Sequence, residues 1–253
     1  MNIHDYLNRI GYTQGLKVNR ETLHGLQRTH MLTVPFENLD IGLKRPIQLD
    51  EQSLWEKIVI RRRGGFCYEL NGLFAWLLKE IGFEVTYLNA RHYFEEDDRF
   101  GIDFDHLAML VRIPAESERR LVDVGYGDSF ISPINLDASS EHVEGINSYQ
   151  IEPFKDGFQL WRRNFDGSRT RLYYFDLAAH SFPSEYEAAC LYHQTSPKST
   201  FTQKRIISRL TENGRISLDD NKLIVSKNGS REEIPATEDE RAFLLKEHFG
   251  IVL

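Results

Sequence analysis

The sequence predicts an α+β protein, in which a helical first third is followed by many short strands and then by mixed elements. Before Gly82, apolar residues recur at steps of three and four, as in helices. After Gly82, runs of β-branched and aromatic residues alternate with Gly and Asn turns, as in strands. Because no Pro/Ser/Gly-rich linker separates these regions, we expect them to pack on one another.

The composition is that of a folded globular protein. The chain has 253 residues, of which 41% are hydrophobic and 27% charged. Its net charge of −7 argues against nucleic acid as the main partner. The first residues lack the pattern of an export signal, and charges interrupt every long apolar run, so we expect a cytoplasmic location and no membrane span. Cys67 and Cys190 are then expected to be free thiols.

Two helices are predicted around the first cysteine. Asp50 is a suitable N-cap for a segment with apolar residues at helical spacing, which the Gly64-Gly65 pair ends. A second, better-defined helix begins near Cys67 and ends at Gly82. Cys67 therefore lies on the inward stripe of this helix and in its first turn, where unpaired N–H groups point outward.

The middle of the chain predicts antiparallel strands. An acidic tract at Glu95 to Asp98 reads as a solvated loop between two of them. Turns at Lys155 to Gly157 and Asp166 to Ser168 continue the pattern, so a meander or small barrel is expected up to about Leu177. The clearest predicted strands cover residues 83–94, 106–113 and 119–127.

The last part of the chain predicts helices at both ends and short strands between them. Residues 181–194 are expected to be helical, with Pro183 in the first turn. Two Asn-Gly turns punctuate the strands that follow. Thr237 and Glu240 form a capping-box pattern for a closing helix that Gly250 terminates.

Three residues in chain order suggest nucleophilic catalysis. The helix dipole stabilises a thiolate at a helix N-terminus, and a nearby imidazolium would lower the pKa of the thiol further. Nucleophilic catalysis by such a thiol also needs a histidine base and an acid that orients the histidine. His106 opens one predicted strand, and Asp123 lies between Val122 and Val124 toward the end of the next. Adjacent antiparallel strands would bring the two together, with the Cys67 helix packed against them.

Each of these residues also has a structural interpretation. Cys67 fits a core position, His106 can be incidental at a strand start, and Asp123 can mark a bulge or an edge. The spacing alone does not distinguish a protease from a transferase. A structural zinc site is disfavoured, since no CxxC or HxxxH pair lies near these positions.

Five blocks, in order over most of the chain, resemble the arylamine N-acetyltransferase family in its bacterial type: VPFENLDI, RRRGGFCYELN, DHLAMLV, LVDVGYGDS and HQTSPKSTF. The resemblance implies a catalytic triad of Cys67, His106 and Asp123. It also implies three parts around a core like that of a cysteine protease. These are a helical bundle over residues 1–82, a central antiparallel β-barrel over 83–180, and an interdomain segment with an α/β lid over 181–253.

The resemblance further implies a ping-pong reaction in xenobiotic metabolism. Cys67 would take the acetyl group of acetyl-CoA and pass it to an arylamine, arylhydrazine or N-hydroxyarylamine. Acetyl-CoA would be the co-substrate, with no metal, no nucleic acid or membrane partner, and a monomer or weak homo-oligomer. The rival hypotheses are a related Cys-triad acyl or amide-forming enzyme, a thiol hydrolase, and a non-catalytic relative that binds a ligand in the same cleft.

Further site residues follow from the resemblance. Phe36 and Tyr126 match positions that line the acceptor pocket, and core packing is the alternative for both. Gly125, Gly127 and Phe201 match coenzyme-contacting positions, with a turn after a strand or a surface loop as alternatives.

Two more positions carry expectations of their own. Arg63 is expected to brace the cysteine loop through hydrogen bonds. Asp128 departs from the arginine of animal members, so their acceptor preferences are not carried over. The compact C-terminal end fits the bacterial type, with its more open coenzyme cleft.

Overall fold

The N-terminal third is mainly helical, as the sequence predicts. The computed structural model describes residues 1–114, 116–127, 130–138 and 140–253. Asp50 caps its helix through a 3.0 Å bond from the backbone N–H of Ser53 to Oδ1. The elements are α1 (Ile3–Ile10), α2 (Arg20–Thr33), β1 (Phe36–Glu37), α3 (Leu39–Gly42), α4 (Glu51–Trp55), a π-helical turn (Glu56–Ile60) and α5 (Cys67–Ile81).

The middle of the chain forms a nine-stranded antiparallel sheet that curls into a nearly closed barrel. The strand order is β6-β5-β4-β2-β10-β9-β8-β7, and β3 pairs with the far end of β2. The strands are β2 (Glu84–Phe94), β3 (Arg99–Phe100), β4 (His106–Arg112), β5 (Arg119–Val122), β6 (Ile134–Asn135), β7 (His142–Glu144), β8 (Asn147–Phe154), β9 (Gly157–Arg163) and β10 (Arg169–Phe175). The predicted barrel is therefore present.

Helix α5 packs between the other helices and strands β2 and β4. It ends at Gly82, which has a φ of 110°, as predicted. Every residue from Cys67 to Leu78 is buried, so the helix is covered on all sides rather than along one stripe. Strand β4 is buried on both faces: Leu107 and Met109 face α5, whereas Ala108 lies in the barrel core.

The C-terminal part contains a second antiparallel sheet covered by a helix. Leu245 and Phe249 of the last helix pack against Ile207 and Leu218 of this sheet. The predicted capping box of the last helix is present. The elements are α6 (Glu187–Thr195), α7 (Thr200–Gln203), β11 (Ile207–Thr211), β12 (Gly214–Leu218), β13 (Lys222–Lys227), β14 (Ser230–Pro235) and α8 (Glu238–Phe249).

Helix α6 begins later than the sequence suggests. Residues 182–186 form turns, in which the N–H of Tyr186 donates to the carbonyl of Pro183 at 2.9 Å. This bond spans three residues and is tighter than an α-helical bond. The regular helix therefore starts at Glu187.

Strand β1 connects the N-terminal third of the chain to the C-terminal sheet. It pairs with β11, with Phe36 opposite Ser208, so the N-terminal third supplies an edge strand to the C-terminal sheet. The division of the chain at residues 82 and 180 stays a prediction. Among the described residues, no helix is both long enough and apolar enough to span a membrane.

Candidate active site

Cys67 is the first residue of α5, and only 3% of its surface is exposed. Helix α5 packs on β4, and the backbone of Leu107, next to His106, lowers the pKa of the thiol. On its other side, a Cβ added to Gly125 would lie 2.7 Å from the Cα of Cys67. The thiol residue therefore lies between the start of β4 and the turn that follows β5.

His106 and Asp123 are in direct contact. His106 is the first residue of β4, and Asp123 directly follows the adjacent antiparallel strand β5. Nε2 of His106 lies 2.7 Å from Oδ2 of Asp123, which has no exposed surface. Because a carboxylate only accepts, Nε2 carries the proton. Any proton exchange with the sulfur of Cys67 then has to use Nδ1 of His106.

The second oxygen of Asp123 is equally well held. Oδ1 accepts hydrogen bonds from Nδ2 of Asn71 at 2.8 Å, from the N–H of Gly125 at 2.9 Å and from the N–H of Tyr126 at 3.1 Å. The oxygen of Asn71 accepts from the N–H of Val124 at 2.9 Å. These bonds compensate the buried carboxylate. Sequence reasoning missed Asn71, although a lone amide one turn after the cysteine on an apolar helix is a detectable signal.

The ionisation of the thiol differs from the expectation. Burial raises the pKa of Cys67 well above its usual value; the backbone of Leu107 lowers it, while the charges of Asp105 and Asp123 raise it further. Burial of Cys67 thus opposes the ionisation that the N-terminus of α5 favours. Assignment of His106 as the base that takes the proton of Cys67 stays a prediction.

The three consecutive arginines before the cysteine differ in burial. Arg61 and Arg62 are exposed, whereas Arg63 is buried. The guanidinium of Arg63 lies 2.7 Å from Oε1 of Glu37 and 3.2 Å from Oδ1 of Asp40. The side chain thus braces the loop before the cysteine from within.

A second buried cation extends this brace to α5 itself. Nζ of Lys57 lies 2.7 Å from Asp40 and 2.7 Å from Oε1 of Glu69. Oε2 of Glu69 accepts from the N–H of Phe66, the N-cap of α5, at 3.1 Å. Burial alone would lower the pKa of Lys57, but Glu69, Glu37 and Asp40 together raise it, so the ammonium stays charged. This network holds the end of α5 that presents the thiol.

Three of the predicted binding residues lie together. The ring centroids of Phe36 and Phe201 are 6.1 Å apart, and a Cβ on Gly127 would lie 3.3 Å from Cγ of Phe36. Phe201 also meets the ring of Phe66, next to the cysteine, at 5.8 Å. A cavity of about 300 Å³ opens beside Phe201 and Lys204. Phe201 therefore lies between the aromatic rings of Phe36 and Phe66 and an open cavity.

Tyr126 and Gly125 lie beside His106 and Asn71 rather than beside Phe36 and Phe201. The ring of Tyr126 stands edge-on to His106 at 5.3 Å, and its hydroxyl lies 2.7 Å from Nδ1 of His92. A Cβ on Gly125 would come within 2.6 Å of Asn71. Close packing of α5 against this turn thus already requires glycine there. Contacts of either residue with substrate or coenzyme stay predictions.

Asp128 and metal binding are the remaining points of the predicted site. Asp128 lies outside the described residues. Within the part of the chain that the structure describes, no group of three or more His, Cys, Asp or Glu side chains is arranged to hold a metal ion.

Comparisons with known proteins agree with one another. The family model described as N-acetyltransferase matches residues 19–253. An arylamine N-acetyltransferase of Mycolicibacterium smegmatis is 33% identical over 237 residues, covering 92% of this chain and 86% of that protein. The solved M. smegmatis arylamine N-acetyl transferase has a TM-score of 0.92 at 32% identity, with 99% of this chain and 92% of that chain covered. The Mycobacterium marinum arylamine N-acetyltransferase in complex with CoA has a TM-score of 0.92 at 27% identity, covering 99% and 93%. Such identity over nearly the full length, on the same fold, means that this chain belongs to the arylamine N-acetyltransferase family.

Proposed function

We propose that this acyltransferase moves the acetyl group of acetyl-CoA to arylamines, arylhydrazines or N-hydroxyarylamines through an acetyl-Cys67 intermediate. Family membership supports the reaction class and disfavours a thiol hydrolase or a non-catalytic binding protein. The observation that carries the residue assignment is the 2.7 Å contact of His106 with Asp123, next to the buried thiol end of α5. It supplies the base and the orienting acid that a protonated thiol requires.

In the first half-reaction, Cys67 is the nucleophile. Its proton passes to Nδ1 of His106 as the sulfur attacks the thioester carbonyl, and Asp123 stabilises the imidazolium through Nε2–H. The carbon–sulfur bond to coenzyme A then breaks. His106 returns the proton to the departing coenzyme thiol, and the acetyl group stays on Cys67.

In the second half-reaction, the amine attacks the acetyl carbon. The new carbon–nitrogen bond forms, the bond to Cys67 breaks, and the proton lost by the amine passes through His106 to the sulfur. The acetyl group is held as a thioester meanwhile, which keeps it reactive toward a weakly basic amine. Burial of Cys67 limits access of water to this intermediate.

The substrate contacts follow from the rings around the thiol. We assign Phe201, which borders the cavity of about 300 Å³, to the coenzyme, together with Gly125 and Gly127. The cavity beside Phe201 and the M. marinum relative solved with CoA support this assignment. Phe36 and Tyr126 offer aromatic faces to a flat acceptor.

The remaining assignments concern the whole protein. We propose that it acts in the cytoplasm as a monomer or weak homo-oligomer. We also propose that residues 1–82 form the bundle that carries the nucleophile, 83–180 the barrel, and 181–253 the interdomain segment with its lid.

The test is to trap the intermediate. Incubation with acetyl-CoA and no acceptor should add one acetyl group to Cys67, detected by mass spectrometry of the peptide, and a subsequent arylamine such as an aminobenzoate should remove it. Cys67→Ala should abolish both steps. Cys190→Ala is the matched control, because burial raises the pKa of Cys190 to about 12 and its sulfur only accepts from Gln194. Equal turnover by wild type and Cys67→Ala would refute the proposal.

A further inference from the structure

The proposed acceptor residue Tyr126 is held by His92, a histidine that the reaction described above does not use. The hydroxyl of Tyr126 lies 2.7 Å from Nδ1 of His92 and 3.4 Å from the carbonyl of Leu172. If Nδ1 carries no proton, it accepts from the hydroxyl. If it carries one, it donates to the hydroxyl, which then donates to Leu172. His92 therefore provides Tyr126 with a hydrogen bond in either tautomer.

The ring of Tyr126 also has aromatic neighbours on two strands of the barrel. His92 of β2 pairs directly with Tyr173 of β10, so the two side chains point to the same face of the sheet. The centroid of the Tyr126 ring lies 5.8 Å from that of His92 and 5.3 Å from that of Tyr173. Tyr126 thus packs on both strands while its ring stands edge-on to His106 at 5.3 Å.

His92 itself has a well-defined position. Its N–H donates to Oδ2 of Asp105 at 3.2 Å, and its carbonyl accepts from the N–H of Gly101 at 2.8 Å. The half-buried ring of Phe94 stands edge-on to the imidazole at 4.7 Å. Because Asp105 directly precedes His106, the place of the His92 ring is fixed relative to the start of β4.

The two ends of Tyr126 serve different partners. Its backbone N–H donates to Oδ1 of Asp123 at 3.1 Å, whereas its hydroxyl bonds to His92. A change at His92 therefore frees the ring but leaves the backbone bond to the Asp123 carboxylate in place. This separation allows a role in acceptor binding to be distinguished from support of the proposed triad.

We propose that His92 is a positioning residue for the second half-reaction: it holds the Tyr126 ring beside His106 in the orientation on which a flat aromatic acceptor stacks. The inference rests on the proposed function. A ring that is already fixed loses less conformational freedom when an arylamine binds, and this favours binding. An acceptor without a ring gains nothing from the arrangement, so His92 makes the site selective for aromatic amines over small acceptors such as hydrazine.

The experiment measures the two half-reactions separately in single turnovers. Acetylation of Cys67 by acetyl-CoA is followed first, and loss of the acetyl group to an aminobenzoate or to hydrazine is followed second. His92→Phe keeps an aromatic ring and leaves the Tyr126 hydroxyl only its longer contact with Leu172. The aminobenzoate concentration for half-maximal deacetylation should rise about three- to tenfold, as expected for one lost hydrogen bond. Acetylation by acetyl-CoA and deacetylation by hydrazine should stay within about twofold.

Two further variants test whether His92 acts through the hydroxyl. Tyr126→Phe removes the same bond from the other side, so the double variant should bind aminobenzoate no more weakly than either single variant. His92→Asn keeps a polar partner near the hydroxyl and should recover part of the binding. His248→Phe is the matched control: this half-buried histidine of α8 lies beside Phe249, with ring centroids 6.5 Å apart, and its replacement should change none of the rates.

Three results would overturn the inference. Equal slowing of both half-reactions in His92→Phe would mean that the residue only supports Asp123. Additive losses in the double variant would mean that it does not act through Tyr126, and unchanged deacetylation by aminobenzoate would mean that it has no role in acceptor binding. Tyr126→Phe carries the same comparison of acceptors if His92→Phe does not fold. Failure of the proposed function would look different, because acetyl-CoA would then not acetylate Cys67 even in the wild type.

Discussion

Asp123 has no exposed surface, yet it accepts four hydrogen bonds, from His106, Asn71 and two backbone N–H groups. Moving a carboxylate out of water costs several kcal/mol unless such partners replace the water. Both carboxylate oxygens therefore accept hydrogen bonds. The orientation of the His106 ring then depends on the hydrogen bonds from Asn71 and from the turn after β5 that fix the Asp123 carboxylate.

Replacement of Asn71 tests this dependence. Asn71→Ala removes the donor to Asp123 and to the carbonyl of Leu107, and leaves the N–H of Val124 without its partner. We expect a loss of about 1–3 kcal/mol in the free energy of unfolding. Misplacement of the His106 ring should lower kcat/KM by about 10- to 100-fold. Urea unfolding and steady-state kinetics measure the two effects.

Gln27→Ala is the control for that prediction. Gln27 is also a fully buried amide, but its Nε2 donates to the carbonyl of Phe130 rather than to Asp123. This variant should lose stability while keeping its activity per folded molecule. If Asn71→Ala lost activity only in proportion to its unfolded fraction, a positioning role for Asn71 would be excluded.

At the scale of elements, helices α1 and α2 meet at a buried histidine. Nδ1 of His30 lies 3.1 Å from the hydroxyl of Tyr6, and the ring has no exposed surface. Burial, with a smaller contribution from Arg9, lowers the pKa of His30 to about 3. Between pH 6.5 and 3 the unfolded chain therefore binds a proton at this position that the folded protein does not.

This difference predicts how stability depends on pH. The contribution of His30 is complete above pH 6.5 and falls as the pH drops toward 3, by up to about 1.4 kcal/mol per pH unit. His30→Gln keeps a polar partner for Tyr6 and removes the titration. Between pH 7 and 5, wild type should lose about 2 kcal/mol more unfolding free energy than the variant, measured in urea. Parallel pH dependence of the two proteins would contradict the assignment.

At the scale of the whole molecule, Asn38 joins the N-terminal third to the C-terminal part. Its Nδ2 donates to the carbonyls of Phe201 at 3.0 Å and Lys204 at 2.8 Å, and its Oδ1 accepts from the N–H of Ile206 at 2.7 Å. These bonds lie beside the β1–β11 pairing. One side chain therefore sets how the Phe201 segment and the second sheet are placed against the thiol end of α5.

Asn38→Ala should loosen this connection. We expect faster amide hydrogen exchange in β11 and β12 and a several-fold higher KM for acetyl-CoA, because Phe201 loses one of its supports. Asn213→Ala, in the exposed turn between those strands, should change neither quantity. Unaltered exchange in Asn38→Ala would show that the β1–β11 pairing alone holds the two parts together.

Local signals account for what the sequence predicts well. The cap at Asp50, the stop at Gly82 and the box at Thr237 each depend on a few neighbouring residues, and all three are present. The contact of His106 with Asp123 also follows from two strands that are adjacent in the chain.

What the sequence does not predict depends on residues distant along the chain. Strand β1 has two residues and finds its partner only in the C-terminal sheet. The bracing of Glu69 by Lys57 needs the tertiary fold, and so does the raised pKa of Cys67, which reflects burial by several elements at once.

The late partner of β1 has a consequence for synthesis on the ribosome. Asn38 emerges 168 residues before the N–H of Ile206 that it binds. A nascent chain can form α5 early, but the contacts of Asn38 and β1 with the C-terminal part cannot form until translation is nearly finished. Premature termination before Phe201 would thus release a polypeptide that has Cys67, His106 and Asp123 but lacks the partners of Asn38 and of β1.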